Sequence, residues 1–405
     1  MQAFTSLFHN AAGINRGRYP FSEILSVERA QKARASMTRF SNYIPTPLVE
    51  LADLGARTGV ARLWYKDEAT RFGLGSFKAL GGAYAVGLLL AEKASRRIGR
   101  AVDIAELGLH RNIAQGVTIC CATDGNHGLS VAAGAKKFGA KCVVFLHEGV
   151  SPGRDAAIAN LGAETVRVAG SYDDSVRAAL QRAEDEDWDV VSDTSWPGYE
   201  TIPADVMQGY TVLVLEILEA LAAQLEAPPT HVFLQGGVGG FAAAVVAHLW
   251  EVLDSAAPTF IVVEPERADC LFQSARAGRP VSASGNLDTV MAGLACGEVS
   301  PLAWRILRPS VEFFMTISDA SAVETMKLLA RGSDKTPPIV AGESAVAGLA
   351  GFLSLIGHSS TPLHESVNAD SRVLVVGTEG ATDPALYRTL VGEDLACNAM
   401  AESCS

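Results

Sequence analysis

The sequence predicts an α/β protein whose sheets are mainly parallel and covered by helices on both faces. Short apolar runs, typical of buried strands, alternate along the chain with longer stretches of helical periodicity. At 405 residues the chain is long enough for two domains, each with its own core. Glycine-rich or polar segments follow several of the apolar runs, which is where α/β proteins bind ligands. The functional residues are therefore expected at the carboxyl ends of strands.

The predicted strands are eight apolar runs at 63–66, 118–122, 142–146, 164–168, 190–192, 231–234, 260–263 and 373–376. The longest helical stretches between them lie at 76–95, 171–184, 202–225 and 320–329. Because strands and helices alternate, the helices act as crossovers that make successive strands parallel. The loops that leave these strands are then expected along one edge of a sheet.

Charge and composition argue against several classes of function. The formal net charge of −12 disfavours nucleic acid or an anionic membrane as partner. No stretch approaches the continuous apolar length of a transmembrane helix, and the first residues lack the pattern of a signal peptide. We therefore expect a cytoplasmic protein.

The seven cysteines have neither CxxC nor Cys/His spacing, so no metal site is expected. Cys270 and Cys296 bracket a Gly/Ser-rich stretch. A disulfide between them is a hypothesis, which a reducing cytosol disfavours.

Lys78 lies in an apolar, glycine-flanked segment beside Ser76 and Phe77. Such surroundings remove hydration, which disfavours the ammonium and lowers the pKa of a lysine. A neutral amine can condense with an aldehyde, as a Schiff-base lysine must. A lysine that reaches solvent from a half-buried helix is the alternative, and the segment alone does not decide between them.

A polar loop at 123–128 joins a predicted strand to a predicted helix. Asp124 and Asn126 suit turn conformations, and the two glycines let the backbone approach a flat ligand. A helix N-cap explains Asp124 by itself, but not why asparagine, His127 and two glycines crowd the same loop. The loop is therefore a candidate ligand site.

A second strand–loop–helix junction is rich in glycine, with Gly236, Gly237, Val238, Gly239 and Gly240. Backbone N–H groups at a helix N-terminus form an anion site. The spacing lacks the third glycine of the dinucleotide fingerprint, and no P-loop lysine follows. The loop fits a single phosphate ester.

The last predicted strand ends in Gly377, Thr378 and Glu379, whose hydroxyl and carboxylate are placed to meet a heteroaromatic nitrogen. An ordinary turn after a strand explains this segment equally well by itself. Taken together, the four segments require a ligand with an aldehyde, a flat ring, a ring nitrogen and one phosphate. Pyridoxal 5'-phosphate (PLP) has all four and supplies an electron sink for carbanion chemistry.

The sequence resembles the fold-type II, tryptophan synthase β-like PLP-dependent enzymes, and within them the diaminopropionate ammonia-lyase family. The strings that carry the resemblance are 71–83, 122–128, 192–199, 207–210 and 291–298. Asp124 is the most specific detail, because dehydratases of the group usually carry serine there.

The resemblance implies a two-domain fold with a mainly parallel twisted sheet in each domain and the active site between the domains. The large PLP-binding domain would comprise 1–84 and 202–405, and the small domain 85–201. The resemblance also suggests a homodimer.

The resemblance implies α,β-elimination of 2,3-diaminopropionate to pyruvate and two ammonia, with Lys78 holding PLP. Asp124 and Asp193 match the family positions that act on the substrate amine, since a carboxylate stabilises an ammonium and can exchange protons with it. We expect Asp124 to be the base toward one enantiomer and Lys78 toward the other. Asp193 would bind the substrate amine or assist its departure. Capping of the following turn is the alternative for Asp193.

Among the cofactor contacts, Asn126 would bind the ring hydroxyl oxygen and the glycine loop the phosphate. Thr378 would face the pyridine nitrogen, although relatives often carry serine where this chain has Gly377. His127 is expected to be structural. Two other functions stay open: a dehydratase of serine, threonine or 3-hydroxyaspartate, and a non-catalytic relative that only binds a ligand.

Overall fold

The structure is a computed structural model that describes residues 4–13, 17–40, 42–123, 125–170, 172–358 and 361–402. Contacts divide the chain into two compact units. The first unit comprises Met1–Val27, Pro45–Thr70 and Leu213–Ser405, and the second comprises Glu28–Ile44 and Arg71–Val212. The domain limits expected from the sequence stay a prediction.

Eleven strands lie in the described residues: β1 (Ser6–His9), β2 (Leu48–Glu50), β3 (Arg62–Asp67), β4 (Thr118–Ala122), β5 (Lys141–His147), β6 (Glu164–Val168), β7 (Asp189–Val190), β8 (His231–Gln235), β9 (Thr259–Pro265), β10 (Phe313–Ile317) and β11 (Arg372–Gly377). The helices of the described residues are α1 (Val27–Met37), α2 (Ala52–Thr58), α3 (Lys78–Ile98), α4 (Arg111–Ala114), α5 (Asn126–Phe138), α6 (Pro152–Ala159), α7 (Tyr172–Glu186), α8 (Thr201–Ala223), α9 (Gly240–Leu253), α10 (Cys270–Ala277), α11 (Pro301–Leu307), α12 (Asp319–Arg331), α13 (Ala347–Ile356), α14 (Pro362–Ser366), α15 (Pro384–Val391) and α16 (Glu393–Glu402).

The first unit contains a seven-stranded sheet in the order β1-β10-β9-β8-β11-β3-β2. Its pairs are parallel, except that β1 and β2 are antiparallel to their neighbours at the two edges. All five residues of β8 are buried, as the apolar composition of a strand covered on both faces requires. The carboxyl ends of β8 and β11 lie side by side, since Phe233 pairs with Val375. The loops that follow these two strands therefore leave the same edge.

The second unit contains a parallel four-stranded sheet in the order β6-β5-β4-β7. Helix α7 packs on one face through Ala179 and Ala183, which join a small apolar cluster with Val143 and Phe145. The loops that follow β4 and β7 leave the same edge, because these two strands are parallel neighbours. This edge positions the residues at 123–128 and 191–195.

The predicted α/β class with parallel sheets is confirmed, and each of the eight predicted runs overlaps a strand, although β7 ends at Val190 and shares only that residue with the run 190–192. The prediction missed β1, β2 and β10. The two edge strands are short and carry exposed residues, so their sequences lack the buried apolar pattern. Strand β10 is buried throughout and is an apolar run that the predicted set does not include.

The expectation that no stretch is long and apolar enough to cross a membrane was wrong in one place. Helix α8 has a window with a mean hydropathy of 1.5 and passes that test by length and composition. The core helix of a soluble protein passes the same test, and 72% of this window is buried inside the structure. Burial in the protein core is thus sufficient to explain its apolar sequence.

The disulfide hypothesis is contradicted, because the structure has no bond between Cys270 and Cys296. Both are buried beside the glycine loop. The Cys270 Sγ–H donates to the carbonyl oxygen of Gly237 at 3.5 Å, and a Cβ on Gly237 would lie 3.3 Å from the Cys296 sulfur. Each thiol therefore packs against the loop backbone.

Candidate functional site

In the second unit, Lys78 and Asp193 form an ion pair between Nζ and Oδ2. Lys78 is the first residue of α3, and Asp193 lies just beyond β7. The side chains are 21% and 10% exposed, so both charges are largely withdrawn from water. The fold thus joins two predicted site residues that are 115 positions apart in the sequence.

Burial and charge have opposite effects on Asp193. Burial acts to raise the pKa of this carboxyl, but the Lys78 ammonium and His127, together with the hydrogen bond from Lys78, hold the pKa well below its ordinary value. Asp193 is therefore a carboxylate throughout the physiological pH range while it is paired with Lys78.

His127 contacts the same carboxylate, with Nδ1 3.9 Å from Asp193 Oδ2. Its Nε2 lies 2.8 Å from the carbonyl oxygen of Val191, so we infer that Nε2 carries the proton. Burial lowers the pKa of His127, which favours the neutral ring. The hydrogen bond of His127 therefore connects the start of α5 to the segment after β7 that contains Asp193.

The loop at 123–128 is shaped by Thr123, a residue that the sequence analysis did not single out. Its Oγ1 accepts hydrogen bonds from the N–H groups of Gly125 at 3.0 Å and Gly128 at 3.1 Å. Asn126 begins α5 and is half-buried. Asp124 lies outside the described residues, so its predicted roles stay predictions.

In the first unit, the loop between β8 and α9 leaves no room for a side chain at Gly236. A Cβ on Gly236 would lie 2.6 Å from Glu264 Cγ, and Gly239 adopts a φ of 99° at the N-cap of α9. The residues between them, Gly237 and Val238, are half-buried. The first turn of α9 therefore presents backbone N–H groups that have no acceptor within the helix, as a phosphate site requires.

Thr378 follows β11 and is 4% exposed. The side-chain amide of Gln235 lies 3.5 Å from Thr378 Oγ1 and donates to the carbonyl oxygen of Val376 at 2.5 Å. Gln235 thereby links the end of β8 to the end of β11. The glycine loop and Thr378 thus leave two neighbouring strands of one sheet, as the sequence predicted for such loops.

Gly377 is packed against Tyr65 of β3. A Cβ at position 377 would lie 1.9 Å from Tyr65 Oη and 2.1 Å from Cζ. Tyr65 is fully buried and cannot move aside into solvent. A side chain at position 377 is therefore incompatible with this tyrosine, and Thr378 has the hydroxyl of this turn.

We expect Gly377→Ser to lower the free energy of unfolding by about 1–3 kcal/mol, because the new side chain overpacks a rigid ring. The double variant Gly377→Ser, Tyr65→Val should lose less stability than the sum of the losses in the two single variants. The reason is that valine leaves the space of the tyrosine ring open to the serine side chain. Denaturant unfolding measures both effects. Gly357→Ser is the control, because a Cβ there has no neighbour closer than 3.7 Å. Equal stability of Gly377→Ser and Gly357→Ser would contradict the prediction.

These features define a class of protein: an α/β fold with a half-buried lysine beside a carboxylate and a glycine loop after a central strand of the larger sheet. A family model described as pyridoxal-phosphate dependent enzyme matches residues 40–379. Diaminopropionate ammonia-lyase of Escherichia coli is 40% identical over 381 residues, which cover 92% of this chain and 93% of that protein.

Two crystal structures of the Escherichia coli diaminopropionate ammonia-lyase extend the comparison, each with 37% sequence identity. The selenomethionine holo form has a TM-score of 0.89 and covers 98% of both chains. The complex with an aminoacrylate-PLP azomethine reaction intermediate has a TM-score of 0.86 and covers 98% of this chain and 99% of that chain. The chain belongs to the pyridoxal-phosphate dependent enzymes and, within them, to the diaminopropionate ammonia-lyase family. The predicted resemblance, fold class and cofactor are confirmed.

Proposed function

We propose that this protein catalyses the α,β-elimination of 2,3-diaminopropionate to pyruvate and two ammonia. The ion pair of Lys78 and Asp193 is the observation that carries the proposal. It places an amine suited to a cofactor aldehyde beside a carboxylate that stays charged, and the substrate of this reaction has a β-ammonium that such a carboxylate binds. The relationship to diaminopropionate ammonia-lyase supports this substrate.

The residues present fit PLP. Lys78 is a largely buried amine, and the glycines at 236, 237, 239 and 240 allow a ligand to approach the backbone N–H groups of this loop closely. When bound, the cofactor supplies the electron sink that stabilises a carbanion. We assign the phosphate to this loop, the ring hydroxyl oxygen to Asn126 and the pyridine nitrogen to Thr378.

Three residues divide the proton transfers in this proposal. Lys78 binds the cofactor aldehyde and, once the substrate amine displaces it, exchanges a proton with the substrate Cα on one face. Asp124 is the base toward the opposite enantiomer. Asp193 binds the β-ammonium and assists its departure as ammonia, because a carboxylate at this position favours the charged form of the amine.

The ratio of ammonia to pyruvate tests the proposal. The purified holoenzyme is given each enantiomer of 2,3-diaminopropionate, with serine and threonine in parallel reactions. We expect two ammonia for each pyruvate from the diamine, and slow turnover of the hydroxy amino acids. No turnover of the diamine with fast keto-acid formation from a hydroxy amino acid would instead identify a dehydratase.

We also propose a cytoplasmic homodimer, on the basis of the family resemblance. Sedimentation equilibrium of the full chain measures its mass against 42.5 kDa for one copy. A mass of one chain at the concentration of the activity assay would refute the dimer.

A further inference from the structure

Tyr210 of α8 is a buried tyrosine that packs on the first turn of α3. Tyr210 is 2% exposed. Its ring centroid lies 4.7 Å from the ring centroid of Phe77, the residue before Lys78. A Cβ on Gly81 would lie 2.4 Å from Cε1 and 2.8 Å from Cζ of Tyr210. Since Cζ carries the hydroxyl, the polar end of this ring lies against α3, one turn beyond Lys78.

The Tyr210 hydroxyl has no hydrogen-bond partner among the residues that the structure describes. A buried hydroxyl without a partner is unfavourable, because it has left water without replacing the lost hydrogen bonds. Because this hydroxyl lies near Lys78, it is available to a partner that forms in another state of the site.

Several charged and titratable groups surround this ring within the second unit. Lys78 Nζ lies 5.7 Å from the Phe77 ring centroid, and the Phe77 ring contacts Tyr210. Asp193, on the segment after β7, pairs with Lys78, and His127 of α5 lies 3.9 Å from the same carboxylate. Burial raises the pKa of Tyr210, the Lys78 charge opposes this and the Asp193 charge adds to it, so the phenol remains a neutral donor.

We propose that Tyr210 is a positioning residue for Lys78: its hydroxyl donates a hydrogen bond to Nζ when that nitrogen is neutral and no longer paired with Asp193. An ammonium needs acceptors, and Asp193 provides one. A neutral lysine nitrogen has a lone pair that Asp193, an acceptor, cannot satisfy, whereas a phenol O–H can. The role of Tyr210 in turnover rests on the proposed function of Lys78.

A hydrogen bond to the neutral form lowers the pKa of the nitrogen that accepts it. Tyr210→Phe should therefore raise the pKa of the Lys78 nitrogen by about half to one pH unit. With no substrate present, the visible absorption of the holoenzyme against pH reports the pKa of this nitrogen while it is bonded to the cofactor. In turnover, the limb of the pH–rate profile that requires neutral Lys78 should also move to higher pH, and kcat should fall by about tenfold with little change in KM.

Tyr387→Phe is the matched control. Tyr387 lies in α15 of the first unit, is 1% exposed, and its hydroxyl also has no hydrogen-bond partner among the described residues. We expect Tyr387→Phe to leave the absorption titration and the pH–rate profile unchanged. Both variants are also compared with the unsubstituted protein in thermal unfolding, which detects a purely structural effect.

The outcomes separate this role from the proposed function. An absorption titration that is unchanged in Tyr210→Phe overturns the positioning role, whatever the enzyme turns over. A shifted titration without turnover of the diamine supports the role of Tyr210 and refutes the substrate. Equal losses of stability in both phenylalanine variants, with neither titration shifted, would make Tyr210 structural only.

Discussion

Replacing Lys78 by alanine is expected to lower turnover of 2,3-diaminopropionate by at least about four orders of magnitude, because no other group can provide its amine to the cofactor aldehyde. The characteristic absorption of the lysine-bound cofactor should also disappear. Steady-state assays and visible spectra measure the two effects. The same change leaves Asp193 buried without its ammonium partner. We therefore expect Lys78→Ala to lose about 2–4 kcal/mol of stability near neutral pH.

Lys78→Arg separates the chemistry from the charge. Arginine retains a cation beside Asp193, but its guanidinium does not lose its proton in proteins and cannot form the Schiff base. This variant should thus be inactive and more stable than Lys78→Ala. Lys93→Ala is the control on the same helix, since Lys93 pairs with Asp189 at 2.9 Å. Normal turnover by Lys78→Arg would contradict the assignment of this lysine.

The sequence was sufficient for the fold class because the central strands are continuous apolar runs, as at β8 and β11. Such strands are recognisable without knowledge of their partners. The edge strands β1 and β2 form only because a neighbour is present, and each has just three or four residues. Their antiparallel pairing was therefore not predictable from local pattern.

The candidate site was likewise predictable from the sequence only in part. Lys78 and the glycine loop are identifiable from short segments, because each contains its own chemical pattern. The pairing of Lys78 with Asp193 brings together the start of α3 and the segment after β7. These are far apart in sequence, so no local signal reveals the pairing. The contact of Tyr65 with Gly377 likewise arises between β3 and the end of β11, and only the sheet order brings them together.

Replacing Asp193 by asparagine should have the second largest effect, and its effect should depend on the substrate. Asparagine keeps the size of the side chain but cannot neutralise an ammonium. We expect kcat/KM for 2,3-diaminopropionate to fall by about 10²–10³-fold, as for the loss of a charge-assisted contact in the transition state. The slow turnover of serine should fall much less, because serine has no β-ammonium. Equal losses for both substrates would instead place Asp193 in a step that is common to them.

The pKa of Asp193 adds a stability test to this prediction. Its folded-state pKa lies well below the ordinary value of 3.8. The ion pair therefore stabilises the protein fully at pH values above that ordinary value, and its contribution is lost as the pH falls toward the folded-state pKa. The difference in unfolding free energy between the unsubstituted protein and Asp193→Asn should be largest near neutral pH and shrink below about pH 4.

Asp189→Asn is the matched control, since Asp189 lies on the preceding strand and pairs with Lys93. It should show neither the loss in kcat/KM nor the change with pH, because the pair of Asp189 and Lys93 is more exposed than that of Asp193 and Lys78. A stability difference for Asp193→Asn that does not change between pH 7 and pH 3 would contradict a carboxylate held in its charged form by Lys78. In the proposed mechanism, the substrate ammonium would replace the Lys78 ammonium as the cation that keeps the buried Asp193 charged once Lys78 holds the cofactor.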